Sequence, residues 1–127
     1  MRRSIVSLTA MAFVAMALLS GCGEKHKAEG IVKDFLNENL TSQPAYISCD
    51  RLGTTSRIDD QAIQRLQEST AKNDPIFKKP VKYGAYKQLP ELRYTRTTIV
   101  LGTDTFVRTV YLHPEFRDDG VMAVKEN

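Results

Sequence analysis

The chain has no tryptophan, and only two of its 127 residues are cysteine and two are histidine. Zinc needs three or four His, Cys or carboxylate ligands, so His26, His113 and one spare thiol fall short. No Gly-x-Ser-x-Gly sequence, phosphate-binding glycine loop or dinucleotide-binding glycine pattern is present, and no segment repeats. Nowhere is there a run of the about 20 apolar residues that a membrane-spanning helix needs. Nor does charge of one sign dominate, with 18 basic against 15 acidic side chains. The length leaves room for one domain with a modest core, which argues against a second catalytic domain or a large cofactor fold. No cofactor is expected.

The first 21 residues read as an address. Arg2 and Arg3 form a short positive region, and the uncharged stretch from Ile5 to Leu19 follows, the length of a signal-peptide core. Leu19-Ser20-Gly21-Cys22 comes next and resembles a bacterial lipobox. The resemblance implies cleavage before Cys22 and acylation of its thiol and freed amine. Two or three acyl chains hold a protein firmly to a membrane, where one chain binds only marginally. Gly23, in the place of an aspartate, leans towards the outer membrane over the inner if the cell has both. The expected organisation is a signal peptide over 1–21, a polar tether over 22–27 that includes His26, and a single domain over 28–127.

Setting aside Arg2 and Arg3 leaves 16 basic against 15 acidic side chains. This near balance and the envelope compartment argue against nucleic acid as a partner. The charge is nevertheless uneven. Residues 72–96 carry Lys72, Lys78, Lys79, Lys82, Lys87, Arg93 and Arg96 against Asp74 and Glu91. Such a segment suits an anionic partner if its cations share one exposed face, and is an ordinary solvated surface if they scatter. Lipidation consumes Cys22, so Cys49 has no disulfide partner within the chain and reads as a small apolar residue of a strand.

Ala28, Ile31, Val32, Phe35 and Leu36 follow helical spacing, which predicts an amphipathic helix from Ala28 to Leu40 ending at Thr41-Ser42-Gln43-Pro44. Ala45–Thr54 reads as extended. Ser56 offers an N-cap for a second, more exposed helix over Ile58–Ala71, with Ala62, Ile63 and Leu66 on its apolar side. Val81-Lys82-Tyr83 and Ala85-Tyr86 suggest a short edge strand. Leu92–Leu101 and Thr105–Leu112 form a hairpin, and Val121–Lys125 is a last short strand. The expected fold is α+β: an N-terminal amphipathic helix packed on an antiparallel sheet that ends in a three-stranded meander. Period-two alternation leaves a face of Thr, Arg and Tyr partly open.

A meander crossed by a helix resembles the cystatin-like and NTF2-like architectures, a likeness of fold that carries no function. The lipobox, the helix Ile31–Leu40 and the C-terminal Val121–Asn127 also resemble small bacterial lipoproteins with one α+β domain, a family that implies membrane attachment and no particular activity. Asp59-Asp60 and Asp118-Asp119 lack the alternating oxygens of a calcium loop. His113 is the one plausible general base. The aromatic and basic set Lys82, Tyr83, Tyr86, Arg93, Tyr94, Arg96 and Arg108 is the candidate binding face, since Tyr and Arg suit recognition surfaces. The function expected is a membrane-anchored, non-catalytic binding or accessory protein whose partner is a protein, a glycan or an anionic envelope component. The alternatives are a structural envelope protein acting through oligomers and a small hydrolase.

Overall fold

A computed structural model describes residues 23–127. The expected signal peptide over 1–21 and the expected lipidation site Cys22 lie outside the described residues. The chain forms a helix α1 over residues 23–39, strand β1 (Tyr46–Thr55), helix α2 (Asp60–Asn73) and strands β2 (Leu92–Leu101), β3 (Asp104–Leu112) and β4 (Val121–Glu126). The strands lie in the order β1-β2-β3-β4, every pair antiparallel, so β1 extends the expected meander into an open four-stranded sheet.

α1 starts earlier than its apolar stripe. Residues 23–27, expected as a tether, are helical and exposed, and Glu24 reaches Arg93 at 3.5 Å. The stripe behaves as its spacing requires, burying Ala28, Ile31, Val32, Phe35 and Leu36. They pack on one face of the sheet with Cys49, Ile99, Val110, Leu112 and Val124. At the end of the helix the buried Asn39 turns its amide back to the Phe35 carbonyl at 2.9 Å and accepts the Lys82 N–H at 3.0 Å. One side chain thus ends α1 and fixes the segment that follows α2.

α2 is capped by Asp59, not Ser56: its Oδ1 accepts from the Ala62 N–H at 2.8 Å. A carboxylate there also meets the positive end of the helix dipole. The helix lies against β4. Its side chains close that strand's outer edge, Gln67 Nε2 donating to the Met122 carbonyl at 2.8 Å and Thr70 Oγ1 to the Val124 carbonyl at 2.9 Å. This explains why Val81–Tyr86 is not the expected edge strand. Two outward carbonyls of β4 are already occupied, Asn39 holds the Lys82 N–H, and only Gly84 N–H reaches the sheet, at the Val121 carbonyl. Leaving edge groups unpaired would invite association, and here helix side chains take them.

The β2–β3 hairpin closes over Gly102 and Thr103, with Leu101 opposite Asp104. Gly102 has φ of +61° at the first central position, the conformation in which glycine costs least and the twist of the turn matches that of the strands. One core lies between α1 and the sheet. A smaller one holds Ile63 of α2, Leu92, Tyr111, Met122 and Ala123 on the opposite face.

Candidate functional site

Cross-strand partners point to the same side of a sheet, so the registers define its two faces. The face under α1 carries Arg93, Thr95, Thr97, Ile99 and Leu101 of β2, paired with Leu112, Val110, Arg108, Phe106 and Asp104 of β3. The opposite face carries Tyr94, Arg96, Thr98 and Val100, paired with Tyr111, Thr109, Val107 and Thr105. β1 adds Tyr46 beside Val100 and Ser48 beside Thr98. β4 adds Lys125 beside Thr109. α2 covers the β4 side of this second face, and the remainder is uncovered. Val100, Val107, Thr98 and Thr109 there are half-buried, while Tyr46 is 59% exposed, the one large hydrophobic side chain that stands out among the described residues. The open face of Thr, Arg and Tyr is therefore where strand alternation puts it.

The irregularity in β1 shapes this face. The register shifts between Cys49 and Leu52, which pair with Thr97 and Thr95, so Asp50 and Arg51 together oppose the single residue Arg96. Such a bulge bends its strand and re-aims side chains. Thr95 Oγ1 holds it by donating to the Asp50 carbonyl at 2.8 Å. Asp50, Arg51, Leu52, Gly53, Tyr94 and Arg96 line a shallow concavity at this point. Gly53 makes room for the Tyr94 ring: a Cβ there would lie 2.2 Å from it, so any side chain at this position would make the ring move.

The structure divides the candidate binding face. Tyr94 and Arg96 lie on the face opposite α1, Arg96 exposed and Tyr94 half-buried against Tyr111 at the border of the part that α2 covers. Arg93, one residue away, points under α1, where its Nε donates to the Gly53 carbonyl at 3.3 Å and its guanidinium sits 5.2 Å from the centre of the Phe116 ring. Tyr83 packs against Phe35 with ring centroids 5.9 Å apart, and burial pushes its pKa up. Tyr86 stacks edge-on against His113 at 4.4 Å and donates to Asp119 at 2.6 Å. Lys82 lines a cleft with Asp34, Glu38, Asp118 and Asp119, and Lys87 lines another with Asp60. The cations of 72–96 therefore do not share a carboxylate-free face. The reason is geometric: Arg93 and Arg96 differ by an odd number of positions on one strand, and the lysines belong to an irregular segment.

Arg108 is the largest departure. It lies on the α1 side of β3 and is 6% exposed. Its Nε and Nη2 meet the two oxygens of Asp74 at 2.7 and 3.0 Å, and Nη2 also reaches Glu126 at 3.4 Å. This bidentate pair ties the residue that ends α2 to the middle of the sheet. Arg108 is thus a structural residue with no part in the open face.

His113 is buried in the turn after β3, with Nδ1 accepting from the Glu115 N–H at 3.0 Å, and its neighbour in space is a tyrosine ring. Cys49 lies under α1 near Thr97, which pairs with Arg108, five residues before His113 along β3. At about 3.4 Å per residue that is roughly 17 Å, far beyond proton transfer. Burial pushes the Cys49 thiol pKa up, opposite to what a nucleophile needs. The paired carboxylates also have other work: Asp59 caps α2, Asp60 accepts the Gln88 N–H at 3.0 Å, and Asp119 accepts from Tyr86. Among the described residues no group of three or more His, Cys, Asp or Glu side chains is arranged to hold a metal ion. No helix among them is long and apolar enough to cross a membrane.

Sequence reasoning missed Arg51, Tyr46 and Ser48 as parts of this face, because nothing in the sequence placed β1 beside β2. A match with protein-family models, curated proteins and solved structures is not found for this chain.

Proposed function

We propose that this chain is a lipid-anchored protein of the bacterial envelope, attached through acylated Cys22, whose domain binds an envelope component on the uncovered part of its sheet. The observation that carries the binding reading is the unequal covering of the two faces. α1 buries one face along its length, whereas α2 reaches only the β4 side of the other and leaves Tyr46, Val100 and Val107 in contact with water. An apolar strip framed by hydroxyl and cationic side chains has the make-up of a recognition surface. The anchor reading rests on the basic start, the uncharged core of the leader and Leu19-Ser20-Gly21-Cys22.

The anchor is tested by growing cells on radiolabelled palmitate. Label enters the wild-type chain and is absent from Cys22→Ala, which leaves the membrane fraction. Equal labelling of both chains would refute the assignment.

A further inference from the structure

Building on that reading of the uncovered face, we propose that Arg51 and Arg96 form a carboxylate-binding subsite for the acidic side chains of a protein segment that lies across the sheet. The bulge in β1 sets two residues, Asp50 and Arg51, against Arg96, and thereby puts both arginines among the residues that line one concavity with Tyr94. Neither arginine makes an ion pair among the described residues, whereas Arg93, Arg108 and Arg117 all do. Asp50 lines the same concavity without pairing with either, and its carbonyl is taken by Thr95. Guanidinium groups match carboxylates in geometry, and their donors here are free to do so.

The rest of the face decides the class of partner. At its strand positions the other charged residues are Asp50, beside the two arginines at the bulge, and Lys125, a cation beside Thr109, so three cations stand against one carboxylate. Two copies packed face to face would bring these like charges together, which argues against self-association there. Val100 and Tyr46 stand four residues along β2 from Arg96, about 13 Å away, and Val107 lies between them and Thr109. An extended segment that carries acidic side chains and, about four residues further on, apolar side chains on the same face satisfies both ends. A glycan would leave hydroxyls without partners over Val100 and Val107, and a flat bilayer surface fits poorly into a concavity at a bulge.

The probe is a fluorescein-labelled ten-residue peptide, Glu-Ser-Glu-Ser-Val-Ser-Val-Ser-Val-Ser, which puts its carboxylates and its valines on one face and is roughly 33 Å long when extended. It is titrated with the full-length chain in detergent micelles and followed by fluorescence anisotropy. Binding is expected, weakening as salt shortens the Debye length, and the same peptide with Lys in place of each Glu is expected not to bind. Arg51→Gln with Arg96→Gln should weaken binding at least tenfold. Lys82→Gln with Lys87→Gln, which removes the same charge elsewhere, should change it less than twofold. Equal losses in the two double variants, or no binding of the Glu-containing peptide, would overturn the subsite. Tighter binding to vesicles of anionic phospholipid, lost with the same arginines, would overturn the protein assignment. A photo-crosslink from Val107 to a partner that survives the arginine substitutions would refute the subsite and leave the docking face intact.

Discussion

Arg108 and Asp74 show how much a residue's meaning depends on what covers it. The guanidinium and carboxylate are both almost completely withdrawn from water, with side-chain exposures of 7% and 1%. Removing one partner of such a pair strands the other charge, a loss of about 3–5 kcal/mol. Asp74→Ala should therefore lower the urea midpoint sharply, while Asp74→Leu combined with Arg108→Met, which removes both charges, should lose much less. A double variant as unstable as the single would show that the pair does more than satisfy itself. Cys49 supplies a pH test. Burial lets the folded chain keep the thiol proton to higher pH than the unfolded chain, so the folded state binds more protons once pH exceeds the ordinary thiol value of 9.0. Stability carried by this group is intact below that value and falls as pH rises through the folded pKa. Tyr83 and Tyr111, also raised by burial, act in the same direction at higher pH. Urea midpoints measured from pH 7 to 10 should drop more in the wild type than in Cys49→Ala, and identical slopes would contradict the buried-thiol account.

At the scale of elements, α1 and α2 do different work. α1 supplies the main core: Phe35 is 7% exposed and touches both Phe77 and Tyr83. Phe35→Ala should cost about 3–5 kcal/mol, visible as a large drop in melting temperature; an unchanged melt would mean the stripe faces a partner and not the sheet. α2 mainly guards an edge. Thr70→Val leaves the Val124 carbonyl without its donor at nearly the same side-chain volume, a cost of about 1–3 kcal/mol. The expected readout is faster amide exchange in β4 than in β1–β2. The elements that could be read from the sequence were those with strong periodicity: the α1 stripe, the hairpin around Gly102 and the open Thr, Arg and Tyr face. The rest depended on contacts distant in sequence. Asp59 displaced Ser56 as the cap because both precede the apolar positions of α2, and only the fold selects between them. The helical start at residues 23–27 carries no apolar signal. The separation of Arg93 from Arg96 was legible from alternation alone, whereas pairing Arg108 with Asp74 required knowing that α2 ends beside the middle of β3.

For the whole molecule, asymmetry is the organising feature. One face of the sheet is sealed by α1, one edge by α2, and the region around β1 and the hairpin remains open. If Cys22 is acylated as proposed, α1 follows it directly in sequence, because residues 23–27 belong to the helix. The open face lies on the far side of the sheet from that helix. The central claim is that this face, and not the outer surface of either helix, meets the partner. It is tested by placing a photo-crosslinking amino acid singly at Thr98, Val107, Asn37 or Glu68 in the full-length chain and irradiating intact cells. The account predicts one shared crosslinked product from Thr98 and Val107, and none from Asn37 on α1 or Glu68 on α2. The same product from the helix positions, or none from the sheet, would contradict it.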